Sequence, residues 1–229
     1  MSQPIPPPPA ELVELMEQPF APQRAFRFHR DKWLEKMQNI DGAAEAINSL
    51  PDYVDRAIIR QAVRDLEDDN IVGAFITVMI WGHGLVNYGP HRTLRVLTDD
   101  FTTDGTLSDD VATKIRQSCT VSREQGNEAG FYYLNNEGKM RKLGASFFTK
   151  WLYYVTATGP QGEDGAAPVL DEKVIDWFKD EVGEKLKYGR TKPYKRYVQI
   201  VTTWGSPYDL TAVDVEERIF RLIRDDGAE

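Results

Sequence analysis

The chain has 229 residues, enough for one large domain or two small lobes. Its hydrophobic (41%) and charged (28%) fractions are typical of a soluble protein, and no apolar run reaches the roughly 18 residues that a membrane span needs. The net charge of -8 argues against a protein that coats nucleic acid non-specifically, although basic residues cluster at 139–142 and 185–196. The single cysteine, Cys119, excludes an internal disulfide, an iron–sulfur cluster and a structural zinc site. No secretory signal precedes the first helix, so we expect a cytoplasmic protein without metal or cofactor.

The predicted elements begin after a proline-rich stretch, residues 1–9, which we expect to form a flexible, extended leader. Residues 10–229 are then expected to form one domain. Almost nothing alternates with period two, so we predict an all-α protein of roughly ten helices. Helices are expected over 11–17, 42–50, 52–66, 70–81, 91–97, 108–121, 125–135, 145–157, 171–182, 195–204 and 211–224, and residues 24–37 form a strap that leads into a helix.

Several of these segments carry a more specific signal. The helix at 52–66 is amphipathic, and the helix at 70–81 is apolar nearly all round, which indicates a buried central position. Thr211 is a predicted N-cap, and Asp214 completes a capping box in which aspartate replaces glutamate.

Residues 138–171 contain the candidate site. Segment 136–144 is too short for an independent element, so a tight turn joins two helices into a hairpin spanning about 125–157. One face of its second helix is apolar, and Lys150 lies off that face beside Ser146, pointing away from the core. Asp171 precedes the next helix as a natural N-cap. A lone lysine of this kind is most often a surface residue, and a lone aspartate an ordinary cap; the pair together predicts a shared cleft.

Together these residues resemble the helix-hairpin-helix DNA glycosylases, and in particular the 8-oxoguanine glycosylase branch. The matching pieces are Lys142-Leu143-Gly144 at the hairpin, the aromatic helix with its lysine, and Val169-Leu170-Asp171. The family's hairpin usually has two glycines around one residue, whereas only Gly144 stands here. The usual lysine position is Ser146, and Lys150 lies one helical turn later, as in the archaeal variant.

The resemblance implies an all-α fold of two helical lobes with a cleft, in a bacterial stand-alone form. It also implies a DNA N-glycosylase, with or without AP-lyase activity, that excises an oxidised or modified purine similar to 8-oxoguanine from duplex DNA with a flipped base. Lys150 would be the nucleophile, and Asp171 would stabilise the positive charge that develops on the sugar. The base-pocket candidates are Trp81, His83, Phe147, Trp151 and Tyr154, and the DNA-binding candidates are Lys139, Arg141, Lys142, Gly144 and Ser146.

Core packing is the commoner role for each of those aromatic residues, and the three histidines have no metal-ligand spacing. Two other interpretations stay open. The chain could be a nucleic-acid-binding protein of the same fold without catalysis. It could also act on another modified nucleobase in DNA, RNA or a free nucleotide, because proteins resembling this branch are associated with antiphage defence, where other defence proteins would be partners. No membrane partner is expected.

Overall fold

The computed structural model describes residues 4–19, 22–99, 105–158 and 165–225. Within these ranges the chain forms twelve α-helices and one two-stranded sheet. The helices are α1 (Ala10–Met16), α2 (Arg30–Met37), α3 (Ala43–Ser49), α4 (Arg56–Leu66), α5 (Ile71–His83), α6 (Gly89–Leu97), α7 (Asp109–Gln125), α8 (Asn127–Asn135), α9 (Ala145–Thr156), α10 (Glu172–Trp177), α11 (Thr191–Gly205) and α12 (Ala212–Asp225). A π-helical turn, Phe178–Val182, extends α10, and a 3-10 turn, Ser206–Tyr208, follows α11. The prediction of an all-α protein is confirmed.

The small sheet was not predicted from the sequence. Its strands, β1 (Phe26–Arg27) and β2 (Tyr53–Val54), pair antiparallel with Phe26 opposite Val54. Two residues are too few to show an alternating pattern, so only the tertiary structure reveals the pair. It fixes the strap before α2 against the segment that enters α4.

Helix α5 lies at the centre of the fold, as its sequence predicts. Every residue from Ile71 to Trp81 is buried, and α5 packs on α3, α4, α6, α7 and α9. The Asn70 side chain caps its first turn, since Oδ1 accepts a hydrogen bond from Gly73 N–H at 2.8 Å. Gly84, at φ 57°, ends the helix in a conformation that favours glycine. The last turn of this rigid helix therefore delivers Trp81 and His83 to a defined place.

Helices α8 and α9 form the predicted hairpin, and buried contacts hold α9 in place. Its Trp151 indole N–H donates to Ser118 Oγ of α7 at 2.8 Å, and Phe148 meets Phe131 of α8 edge to face at 4.9 Å between ring centroids. Thr149 Oγ1 accepts a hydrogen bond from Leu170 N–H at 3.2 Å. That last bond fastens α9 to the segment that enters α10.

The two ends of the described chain pack against each other. The carbonyl oxygens of Pro4 and Pro6 accept hydrogen bonds from Arg196 Nη2 (2.6 Å) and Trp204 Nε1 (2.8 Å) of α11, so this part of the predicted leader lies against α11. Thr211 and Asp214 form the predicted capping box at the start of α12. Residues 1–3 of the leader, and residues 159–164 in the connection between α9 and α10, lie outside the described residues.

The hairpin turn suggests a stability test at Lys142. This residue has φ 64°, a left-handed conformation that costs a residue with a Cβ about 1 kcal/mol. We expect Lys142→Gly to be more stable than Lys142→Ala by about 1 kcal/mol, measured by urea unfolding. The same pair of substitutions at Arg141, which is outside the left-handed region, is the control and should not favour glycine. Equal stabilities of Lys142→Gly and Lys142→Ala would contradict the inference that the backbone at residue 142 is strained.

Candidate active site

A cavity of about 740 Å³ opens between the strap, the C-terminal end of α5, the start of α9, the start of α10 and α12. Its volume is within the range of sites that bind small molecules. Both residues of the predicted catalytic pair line it. The lining comprises Gln23, Arg24, Ala25, Phe26, Arg56, Trp81, Gly82, His83, Gly84, Leu85, Arg92, Ser146, Phe147, Lys150, Val169, Asp171, Glu172, Lys173, Tyr188, Glu216, Phe220 and Arg224.

Lys150 reaches back along α9 rather than out into solvent. Its Nζ donates a hydrogen bond to Ser146 O at 2.9 Å, and only 12% of the side chain is exposed. Side chains on a helix lean toward its N-terminus, which explains why the amine lies at the level of residue 146. Gly82 makes room for the aliphatic chain, because a Cβ there would be 3.0 Å from Lys150 Cδ. The expectation that Lys150 points away from the core is therefore only partly right, since the side chain is largely buried in the cavity wall.

Asp171 meets Lys150 from the start of α10. Its Oδ1 accepts the hydrogen bond of Val174 N–H at 3.1 Å, as an N-cap does, and its Oδ2 lies 3.6 Å from Lys150 Nζ. At that distance the two groups form an ion pair rather than a direct hydrogen bond. The carboxylate is thus oriented by its capping bond, and one oxygen remains directed at the lysine.

Burial lowers the pKa of the Lys150 amine. Loss of water disfavours the ammonium form, Arg56 acts in the same direction, and the negative charges of Asp171 and Glu216 oppose it. The net result of these effects is a Lys150 pKa below the ordinary value of a lysine. A larger fraction of the amine is therefore neutral near pH 7 than on an exposed lysine, which is what a nucleophilic amine requires.

Beneath the pair lies a second group of charges that the sequence analysis missed. Arg56 on α4 contacts Glu216 on α12 through Nη1 at 3.0 Å and Nη2 at 3.1 Å, and its Nε lies 2.7 Å from Glu217 Oε1. Its guanidinium also lies over the rings of Trp81 (5.2 Å) and Tyr153 (4.7 Å). Burial raises the pKa of Glu216, although Arg56 opposes this shift. The Arg56–Glu216 ion pair joins α4 to α12 across the floor of the cavity.

The aromatic wall of the cavity is built around Phe147. His83 packs on it with ring centroids 4.2 Å apart, Arg92 lies over it at 4.9 Å, and Lys150 Nζ is 5.1 Å from its centre. Burial, together with Arg92 and Lys150, lowers the pKa of His83 to about 4. His83 is therefore a neutral ring near pH 7, and its contribution is one of shape and packing.

The structure separates the other pocket candidates. Trp81 lines the cavity, and its buried indole N–H has no hydrogen-bond partner within the described part of the chain. Trp151 and Tyr154 do not line the cavity and are almost fully buried in the core. Trp151 points to α7 and is held by Ser118, while Tyr154 packs edge to face on Trp81 at 5.4 Å. Tyr154 therefore supports the cavity wall through Trp81, whereas Trp151 packs within the core.

The hairpin candidates lie at the edge of the cavity. Lys139, Arg141 and Lys142 are exposed on the turn between α8 and α9. Gly144 is the N-cap of α9, and Ser146, which lines the cavity, donates its backbone N–H to Tyr188 Oη at 3.2 Å. The missing first glycine of the family pattern corresponds to Lys142, which nevertheless adopts the left-handed conformation that glycine favours. The turn thus has a left-handed residue at this position without the glycine.

Further cavity residues come from segments that sequence reasoning left unassigned. Phe220 lies four residues after Glu216 on α12, which is one helical turn, so both reach the same cavity. Arg24 and Arg92 are contributed by the strap and α6. The apolar stripe of α12 concealed Phe220, and no local pattern distinguishes an arginine that faces a cavity from one that faces solvent.

The cavity differs in charge from the rest of the chain. Six basic side chains line it, against three acidic ones, in a chain whose net charge is -8. The basic residues are Arg24, Arg56, Arg92, Lys150, Lys173 and Arg224, and the acidic ones are Asp171, Glu172 and Glu216. Arg56 is already neutralised by its glutamates. Lys150 is paired with Asp171. The remaining four, Arg24, Arg92, Lys173 and Arg224, make the cavity a favourable place for an anionic ligand such as a phosphate-bearing nucleotide.

An α8–α9 hairpin, a lysine on α9 and an aspartate at the start of α10 define an all-α, helix-hairpin-helix DNA glycosylase-like fold. The family model described as "Putative 8-oxoguanine DNA glycosylase OGG-like protein" matches residues 20–220, and the chain belongs to that family. Comparison with curated proteins and with solved structures found no match in either case. Among the described residues, no helix has the length and apolarity to cross a bilayer.

The buried Arg56 leads to a stability prediction. Arg56→Met would leave Glu216 buried without its partner, so we expect a loss of about 3 kcal/mol in the free energy of unfolding at pH 8. Without Arg56 the pKa of Glu216 in the folded protein would rise further. A carboxyl with a raised folded-state pKa costs no stability below its unfolded-state pKa, and the cost grows with pH until it is complete above the folded-state pKa. The deficit should therefore shrink as the pH falls. Lys195→Met, which removes the exposed partner of Glu128, is the control and should change stability by less than about 0.5 kcal/mol. A loss of stability that does not change with pH would contradict the attribution of this loss to an unpaired Glu216 carboxylate.

Proposed function

We propose that the protein is a DNA N-glycosylase that excises an oxidised or otherwise modified purine, with Lys150 as nucleophile and Asp171 as its electrostatic partner. The observation that carries the proposal is the 3.6 Å approach of Lys150 Nζ to Asp171 Oδ2 in a cavity of about 740 Å³ with an aromatic wall. Membership of the 8-oxoguanine glycosylase-like family supports it independently. The lysine then acts one helical turn after the residue where the family usually has it, and its backward lean compensates for that shift.

The proposed reaction uses groups that are already in place. The neutral Lys150 amine attacks C1′ of the deoxyribose as the bond from C1′ to the base breaks. The base leaves with the bonding electrons and receives the proton that the nitrogen gives up, so the exchange needs no further reactant. Asp171 stabilises the positive charge that develops on the sugar. Ring opening of the resulting adduct gives an imine, from which β-elimination would cleave the strand.

Recognition of the base would involve the aromatic wall and the cavity floor. Phe147 and Phe220 both line the cavity and are half-buried, so each has ring surface available to a flipped base. Glu216, held by Arg56, offers carboxylate oxygens that can only accept hydrogen bonds when ionised. An acceptor on the cavity floor suits a base edge that donates hydrogen bonds, as the guanine edge does.

Extrusion of a base leaves a gap in the duplex, and the loop after α5 has residues suited to fill it. Leu85 and Val86 are 62% and 60% exposed, and Leu85 also lines the cavity. Apolar side chains of this kind insert between base steps in many proteins that distort DNA. We therefore include them in the proposed DNA-binding surface.

Borohydride trapping on a duplex that contains 8-oxoguanine tests the nucleophile. Wild type should form a covalent adduct, and Lys150→Ala should lose it, because only a primary amine can form the reducible imine. Lys173→Ala is the matched control, since Lys173 lines the same cavity but is exposed and makes no ion pair with Asp171 among the described residues. That variant should trap at nearly the wild-type level.

Two results of the trapping experiment would overturn this proposal. One is the absence of an adduct with wild type on duplexes carrying any of a panel of oxidised and alkylated purines. The other is an undiminished adduct with Lys150→Ala. Duplex binding without base release would instead favour a binding protein of the same fold, and activity confined to RNA or free nucleosides would favour a different modified-nucleobase enzyme.

The pH dependence of the reaction tests the role of burial. Single-turnover base release should rise with pH and level off above the lowered pKa of Lys150, because only the neutral amine attacks. Glu216→Gln removes a negative charge that raises this pKa, so the rising limb should move to lower pH. Glu172→Gln is the control, since Glu172 lines the cavity but is not among the charges that shift the Lys150 pKa, and its profile should be close to that of wild type. A shift of the rising limb to higher pH in Glu216→Gln would contradict the attribution of this limb to the Lys150 amine.

A further inference from the structure

Four exposed cations lie close together between the π-helical turn and the first turn of α11. We call residues 185–192 the basic segment; its cations are Lys185, Lys187, Arg190 and Lys192. None of the four makes an ion pair with a carboxylate of the described ranges 4–19, 22–99, 105–158 and 165–225. Their neighbours differ, because Lys195 pairs with Glu128 at 2.7 Å and Arg196 with Glu184 at 3.0 Å. The charges of the basic segment are therefore available to a partner outside the chain.

The basic segment is fixed to the hairpin by two contacts. Asn135 Nδ2, at the end of α8, donates a hydrogen bond to Gly189 O at 3.0 Å. Tyr188 Oη accepts the Ser146 N–H bond from the first turn of α9. A Cβ at residue 144 would lie 2.5 Å from Tyr188 Oη, so a larger residue at that position would displace the Tyr188 hydroxyl from its present place. The basic segment and the hairpin thus form one continuous surface.

This surface also reaches the mouth of the active-site cavity. Tyr188 lines the cavity while 42% of the residue remains exposed. The hairpin side of the surface contributes Lys139, Arg141 and Lys142, which are exposed as well. A nucleotide inserted in the cavity carries backbone on both sides, and Tyr188 stands where backbone leaving the cavity on this side would pass.

We infer that the basic segment is a second binding site for the sugar–phosphate backbone of duplex DNA, adjoining the hairpin and contacting phosphates beside the extruded nucleotide. The inference rests on the proposed function, since it takes the cavity as the place of the extruded nucleotide. Exposed lysines and arginines neutralise phosphates and release bound counterions, which makes binding depend on salt. The net charge of -8 would repel DNA elsewhere on the protein, so a local positive surface also orients the approaching duplex.

The double variant Lys185→Gln/Lys187→Gln tests the inference. Its affinity for a duplex containing a stable abasic-site analogue is measured over a range of salt concentrations. The magnitude of the slope of log K against log salt should fall by about 2, because each phosphate that the protein neutralises adds roughly 0.9 to it. The control is Lys36→Gln/Lys179→Gln, which removes the same charge from exposed lysines that pair with Glu35 and Asp180. Its slope should equal that of wild type.

The outcomes separate this inference from the proposed function. An unchanged slope in the Lys185/Lys187 variant, or an equal fall in the control, overturns the inference even if wild type excises the base. The expected fall in slope supports the inference. Covalent trapping through Lys150 is measured separately at saturating protein concentration, where the double variant should form as much adduct as wild type. If wild type binds no duplex at any salt concentration, both the inference and the proposed function are overturned.

Discussion

The candidate site depends on the buried tether between α9 and the segment that leads into α10. Thr149 Oγ1 accepts the Leu170 N–H bond, and the phenol groups of Tyr194 and Tyr197 donate to the carbonyl oxygens of Pro168 (3.1 Å) and Val169 (2.9 Å). A buried polar group that loses its partner costs about 1–3 kcal/mol, so this backbone cannot shift freely. Because Thr149 and Leu170 directly precede Lys150 and Asp171, the same bonds determine that the amine and the carboxylate meet.

Electrostatics at the site balances two opposing requirements. In the proposed reaction the carboxylate of Asp171 has to be close to the reacting sugar, yet its charge favours the protonated form of Lys150, which cannot attack. Burial of the amine outweighs that effect and lowers its pKa. The Arg56–Glu216 pair beneath contributes a charge of each sign, so its influence on Lys150 partly cancels while it joins α4 to α12. Such a buried pair is weak evidence for stability, but it gives the cavity floor a defined arrangement.

The hairpin turn contains a left-handed residue at the position where its sequence departs from the family pattern. Lys142 adopts the left-handed conformation that a glycine would take without strain, and Gly144 leaves room for the Tyr188 hydroxyl. The Ser146 N–H, which belongs to the first turn of α9, is bonded to Tyr188 Oη. The proposed contacts with the DNA backbone at this end of the molecule therefore involve the hairpin and the neighbouring basic segment together.

The sequence alone predicted the helical class, the central position of α5 and the capping box of α12, because these depend on local periodicity and capping chemistry. It also identified Lys150 and Asp171 as candidates, because they belong to a short motif. It could not place Trp151 and Tyr154, since an aromatic helix has the same pattern whether a ring packs on α7 or faces a cavity. It also concealed Arg56, Glu216 and Phe220, which come from α4 and α12 and meet only through tertiary packing. Likewise, the approach of Lys150 to Asp171 and the lowered lysine pKa were decided by the fold. Burial and the distance between charges are properties of how the helices pack, and no single segment carries them.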